Sequence, residues 1–165
     1  MSKVKKVKKR EKVENKGYTL RSDLEKARAS ALASLSMREH SIKELTDKLS
    51  RKDYQQDSIE IVIKECLGHN YLNDQRFAEI YWRSRARKGF GPNKISMELK
   101  QKGISSSLIT ASSQQDELDF DAVIKRVYLK KFKGSDITDF KDKAKRQNYL
   151  YQRGFDVELI RVVVE

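Results

Sequence analysis

Three stretches of this chain superpose without gaps, and that repetition limits its folds more than any other feature. They are Leu49-Ser-Arg-Lys-Asp-Tyr54 with Ile59, Leu99-Lys-Gln-Lys-Gly-Ile104 with Ile109, and Leu150-Tyr-Gln-Arg-Gly-Phe155 with Ile160, at offsets of 50 and 51 residues. A repeat of this period marks a tandem array of one supersecondary unit. If Gly103 is the left-handed residue just past a helix, Leu99 and Ile104 become the apolar pair that closes a Schellman cap. Gly154 places Leu150 and Phe155 in the same relation. The first copy has Asp53 at that point, so its turn is expected to be strained or different.

The surroundings of each turn read as helix. Ser41 with Glu44, and Ser22 with Glu25, match the capping box that satisfies the first amides of a helix. Asn73 is placed to cap a helix bearing Phe77, Ala78, Ile80 and Tyr81. In Gly91-Pro92 the proline falls at a first helical position, where its missing N–H costs nothing. Short third helices begin near Leu108-Ile109 and Leu159-Ile160. With seven Gly and one Pro in 165 residues, long helices are favoured over a loop-rich β protein. The expected fold is all-α: tandem three-helix repeats stacked into an elongated, curved chain. Units of about 50 residues lie near the lower limit of independent stability, so neighbours are expected to cover one another's apolar edges. The boundaries fall at 1–17 for a basic arm, then 18–69, 70–115 and 116–165 for the repeats, with Gln114 to Asp121 as the joint between the last two.

Charge is uneven along this frame. The chain carries 36 Lys and Arg against 24 Asp and Glu, net +12, a balance that favours polyanionic partners. Residues 1–17 hold Lys3, Lys5, Lys6, Lys8, Lys9, Arg10, Lys12 and Lys16 with two acids, net +6. Three Val give that segment too little apolar surface to order itself, and it reads as a disordered auxiliary arm for non-specific DNA contact. The first repeat is neutral, the second carries net +5 and the third +1. Arg83, Arg85, Arg87, Lys88 and Lys94 concentrate at one helix end, and Lys100 and Lys102 extend them; all seven are candidate contacts to an acidic protein surface or to DNA. Arg87 and Lys88 also suit the negative end of a helix dipole. Tyr81 and Trp82 read as core or inter-repeat packing rather than base-stacking groups.

Groups for catalysis are sparse. His40 and His69 are far apart, with no metal-ligand spacing. Cys66 sits in an apolar run and reads as a core thiol; alone, it forms no intramolecular disulfide and fits a reducing cytosol. No phosphate-binding glycine motif of the P-loop or dinucleotide type occurs. The chain is therefore expected to be no enzyme and to need no cofactor or metal. No run approaches the roughly 18–20 apolar residues of a membrane helix, and the Lys-rich start has no signal-peptide core behind it.

Several segments closely resemble one family: Arg38-Glu-His-Ser-Ile-Lys-Glu-Leu45, Tyr71-Leu-Asn-Asp-Gln-Arg-Phe-Ala78, Arg83-Ser-Arg-Ala-Arg-Lys-Gly-Phe-Gly-Pro92, Ile95-Ser-Met-Glu-Leu-Lys-Gln-Lys-Gly-Ile104, and Arg153-Gly-Phe155 followed by Leu159-Ile160. In this order and spacing, over roughly residues 22–165, they are similar to the RecX family of bacterial recombination regulators. The resemblance implies a cytoplasmic, non-enzymatic modulator of the RecA recombinase that acts on the RecA–DNA filament. It would reduce ATPase, coprotease and strand-exchange activity, tuning recombinational repair and the SOS response. A monomer is expected, with the RecA filament and single- or double-stranded DNA as partners. Asp53 and the Lys-rich arm depart from the family pattern. The alternative is a tandem helix-turn-helix protein acting directly on DNA. Against it, the third helices open with Ser105-Ser-Ser-Leu-Ile and Asp156-Val-Glu-Leu-Ile, which lack the long polar side chains of a base-reading helix.

Overall fold

The structure, a computed structural model, describes residues 2–164, with side chains from Thr19 onward. Among these residues there are nine α-helices and no strand: α1 (Ser2–Met37), α2 (Ile42–Ser50), α3 (Gln56–Gly68), α4 (Asp74–Arg87), α5 (Pro92–Gln101), α6 (Ser106–Ser113), α7 (Phe120–Phe132), α8 (Phe140–Gln152) and α9 (Val157–Arg161). They divide into two compact units, one ending at Asn73 and the other beginning at Asp74. The side chains of the Lys-rich arm lie outside the described residues. Two expectations differ from the structure: the backbone of residues 2–17, read as a disordered arm, continues α1, and Ser22 does not start a helix but lies inside α1. Nothing in the sequence before it breaks the helix, since neither Pro nor a turn pair intervenes.

In the first unit, apolar residues at helical spacing converge. Ala27 and Ala31 of α1, Leu45 and Leu49 of α2, and Ile59, Val62 and Cys66 of α3 are buried together with Leu72. The two alanines let α1 approach α3 closely, and a two-pronged pair ties the same helices: Arg28 donates to both Glu65 carboxylate oxygens at 2.7 and 2.8 Å. Ser41 caps α2 by accepting the Glu44 N–H at 3.1 Å, as its spacing predicts. At the end of α2, Asp53 adopts φ of +59°, a left-handed conformation that a non-glycine residue adopts only at a cost. It keeps the inner cap bond, Asp53 N–H to the Ser50 carbonyl at 3.0 Å.

The second unit holds α4 to α9. Here the glycine caps form as the repeat pattern predicts. Gly103 (φ +83°) and Gly154 (φ +90°) are left-handed. Ile104 N–H reaches the Leu99 carbonyl at 3.1 Å, and Phe155 N–H the Leu150 carbonyl at 3.3 Å. Leu99, Ile104, Leu150 and Phe155 are all buried, each contributing roughly 1.5–3 kcal/mol.

Two apolar clusters fill this unit and are joined. Phe77, Ala78, Trp82, Ile95, Leu99, Ile104 and Ile109 form one. Val123, Ile124, Val127, Leu150, Phe155, Ile160 and Val164 form the other, and Ala86 of α4 belongs to it. Leu118 and Phe120, at the joint between the second and third repeats, pack on both clusters. Phe120 meets the Trp82 ring edge-on, with centroids 6.0 Å apart. The joint is polar in composition but apolar where it faces inward, so these two repeats share one core.

Candidate polyanion-binding surface

The second and third repeats interlock through their helix ends. At the start of α5, the N–H groups of Gly91 and Asn93 donate to the carbonyls of Arg153 and Gly154 at 2.8 and 3.0 Å. The orphan donors of one helix thus satisfy the orphan acceptors of another. At the end of α4 the relation is reversed. Arg126 of α7 donates to the Ala86 and Arg87 carbonyls at 3.0 and 3.2 Å, and Arg153 donates to the Gly89 carbonyl at 3.2 Å. Guanidinium groups at this position meet the negative end of the α4 dipole.

This docking builds a concavity of about 440 Å³. Six cations line it: Arg87 and Lys88 from the end of α4, Arg126, Lys130 and Lys131 from α7, and Arg153 just after α8. Its floor is Val127, Tyr149 and the glycine turn at Gly89. The Tyr149 ring lies 5.4 Å from Lys131 Nζ and 5.1 Å from the Arg153 guanidinium carbon. No carboxylate is among the lining residues. Like charges held this closely are repulsive and concentrate a field that attracts an anion.

The cations singled out from the sequence separate into distinct environments. Arg87 and Lys88 are exposed and belong to the concavity. Arg85 grips Glu98 with two bonds of 2.7 and 2.5 Å, and its guanidinium lies 3.8 Å from the Phe90 centroid. Tyr81 donates its hydroxyl to the same Glu98 carboxylate at 2.9 Å. Arg85 therefore fastens α4 to α5. Arg83 donates to Gln115 at 2.6 Å and so secures the joint. Lys94 extends over Phe90 and Lys102 over Tyr81, at 5.2 and 5.3 Å. Lys100 is exposed on α5 and does not line the concavity.

Sequence reasoning missed Arg126, Lys130, Lys131, Arg153 and Tyr149. A signal was present: residues 122–133 carry five cations and no acid. Averaging over the whole repeat hid it, because Asp116, Glu117, Asp119 and Asp121 offset the sum.

Buried titratable groups outside the concavity are held by packing and hydrogen bonds. Arg146 is 3% exposed and donates to Asp142, the Tyr128 hydroxyl, the Ser135 carbonyl and hydroxyl, and the Asp136 carbonyl. It holds the α7–α8 connection in place, and its bonds hold the Asp142 carboxyl below the usual carboxylate range. Burial lowers the His40 pKa, and its Nδ1 lies 3.0 Å from the Arg38 carbonyl. Burial pushes the Cys66 thiol up. Among the described residues no cluster of His, Cys, Asp and Glu could hold a metal, and no helix is long and apolar enough to cross a membrane.

Comparison with known proteins bears directly on this arrangement. Residues 27–66, 73–112 and 119–164 match the models of the first, second and third three-helix domains of RecX. The chain is 39% identical over 138 residues to the regulatory protein RecX of Legionella pneumophila (strain Corby), covering 84% of this chain and 92% of that protein. It is 37% identical over 134 residues to the regulatory protein RecX of Vibrio parahaemolyticus serotype O3:K6, covering 81% and 86%. The crystal structure of RecX from Lactobacillus salivarius shares the fold, with a TM-score of 0.71 at 23% identity over 87% of this chain and 95% of that one. A second crystal structure of a regulatory protein RecX gives a TM-score of 0.76 at 22% identity, over 91% and 75%. With all three domains matched in order, this chain belongs to the RecX family.

Proposed function

We propose that this protein is a non-enzymatic, cytoplasmic modulator of the RecA recombinase, acting as a monomer on the RecA–DNA filament. Binding lowers the filament's ATPase, coprotease and strand-exchange activities, and so tunes recombinational repair and the SOS response. The observation that carries this reading is the gathering of six cations from two repeats around one concavity in a chain of the RecX family. Lys100 and Lys102 extend this basic surface beyond the concavity that Arg87 and Lys88 help to line. Arg83 and Arg85 are engaged with Gln115 and Glu98, and Lys94 lies over Phe90, so their part is to hold the second repeat together. The cations of the N-terminal arm add non-specific affinity for DNA by releasing condensed counterions.

The test is the single-stranded-DNA-dependent ATPase of a RecA recombinase, titrated with this protein at two salt concentrations. Inhibition that weakens with salt is expected, along with its loss in the Arg87→Glu/Lys88→Glu variant at unchanged helicity. Absence of inhibition, despite DNA binding, overturns the reading in favour of a protein acting on DNA alone. The first turns of α6 and α9 already weigh against sequence-specific reading, since Ser105 and Asp156 are spent on capping the Leu108 and Leu159 N–H groups.

A further inference from the structure

We infer that the concavity between α4, α7 and α8 is a single-stranded nucleic-acid site, in which the cationic rim holds phosphates and the Tyr149–Val127 floor takes an unstacked base. The inference rests on the function proposed above and assigns the nucleic-acid contact of this surface to particular residues.

Three observations carry it. First, the rim presents cations from three directions, and its members differ in freedom. Arg126 spends a donor on the last α4 carbonyls and Arg153 one on the Gly89 carbonyl in the turn after α4, which restrains their guanidinium planes. Arg87, Lys88, Lys130 and Lys131 are exposed around them. A fixed guanidinium suits two-pronged phosphate binding, while the flexible lysines follow a backbone of variable path. Second, the floor is not charged. Tyr149 is half-buried, with Lys131 and Arg153 over its ring at 5.4 and 5.1 Å and Phe132 edge-on at 5.6 Å, and Val127 lines the same concavity. Aromatic rings flanked by cations form the platform on which single strands stack, at roughly 1–3 kcal/mol per base. Third, the volume of about 440 Å³ falls within the roughly 300–1,000 Å³ of sites that enclose small ligands, the size class of a nucleotide. A duplex keeps its bases stacked inward and presents none to such a floor. A peptide of acidic residues alone would satisfy the rim but offers no flat group to Tyr149.

The experiment measures binding of the full-length protein to labelled oligothymidylate of about twenty nucleotides, without RecA, at several salt concentrations. Lys130→Glu/Lys131→Glu is compared with Lys26→Glu/Lys64→Glu, which makes the same charge change at exposed positions of the first unit. The site variant should bind at least tenfold more weakly than the control. Loss of two phosphate contacts should also make its salt slope shallower by about 1.4. An abasic oligomer of equal length should bind wild type more weakly than oligothymidylate, and the site variant should lose this distinction. Equal affinities of site and control variants overturn the assignment. So does equal binding of abasic and thymidylate oligomers, tighter binding to duplex of equal length, or displacement by polyglutamate as effective as by oligothymidylate. Because no recombinase is present, failure here is separate from failure of the ATPase test. An intact ATPase effect beside unchanged DNA binding would leave the regulatory reading standing and remove this one.

Discussion

Gly91 approaches Gly154 so closely that a methyl group on Gly91 would sit 2.4 Å from the Gly154 carbonyl carbon. On Gly154, whose φ is +90°, a methyl group would lie 2.3 Å from Lys94 Cβ. Two glycines from different repeats are thus required for one backbone contact, and neither has room for a side chain.

Gly91→Ala and Gly154→Ala should therefore each destabilise the second unit by more than conformational strain alone. Gly134→Ala is the control: φ there is +72°, but the nearest atom to an added methyl is Leu129 Cδ1 at 3.8 Å. The control should cost about 1–2 kcal/mol, the ordinary penalty of a left-handed alanine. Chemical denaturation of the three variants checks this, and a Gly154→Ala midpoint equal to that of Gly134→Ala would remove the steric account.

Arg85 is expected to matter for stability rather than for contact with a partner. Its bonds to Glu98 are short, and both side chains are largely covered, at 19% and 16% exposed. Arg85→Gln should lower stability by about 1.5–3 kcal/mol, as for other hydrogen bonds to charged groups. A double-mutant cycle with Glu98→Gln should show coupling between the two positions. Oligothymidylate affinity should stay within a factor of about two, far less than the loss expected at Lys130 and Lys131. A large loss of DNA affinity with unchanged stability would reverse the assignment.

Acid should loosen the third repeat through Asp142. Its folded pKa lies below the unfolded value because Arg146 donates to the carboxylate. The unfolded chain therefore binds the extra proton first as pH falls. The stabilisation is fully present above the ordinary aspartate pKa of about 3.9 and is lost as pH drops towards the folded pKa. Urea midpoints measured downward from about pH 5 should fall less steeply for Asp142→Asn than for wild type. Parallel slopes would show that the pair does not couple to folding.

Cys66 should resist alkylation in the native state. It is buried in the first unit's core, and burial raises its thiol pKa, so little reactive thiolate is present near neutral pH. Iodoacetamide labelling should accelerate with urea in step with loss of helicity. Rapid labelling without denaturant would mean that α3 opens locally.

Much of the fold is legible in the sequence because its devices are local. A Schellman cap needs one glycine with apolar residues four before and one after it, and Leu99, Gly103 and Ile104 announce it within six positions. The Ser41 cap is similarly short-range. Ser22 shows the limit of such signals: a capping box reads the same whether or not a helix continues upstream of it. The concavity is legible only in part, because its residues come from α4, α7 and the end of α8. Arg87 and Lys88 stand out in their own segment. Arg126 and Arg153 acquire their role only when the Gly91–Gly154 contact brings the third repeat against the end of α4. Arg85 stands in a basic run and reads as surface, yet Glu98, thirteen residues on, turns it inward. No local pattern carries that information.

Trp82 is the only tryptophan in the chain, and its ring is 2% exposed against Phe120 of the third repeat, with its indole N–H buried and unpartnered. The protein thus contains its own optical gauge. Emission from this one fluorophore should be blue-shifted while the last two repeats stay docked and move to the red when they part. Opening of that junction can then be followed in real time on an unlabelled protein.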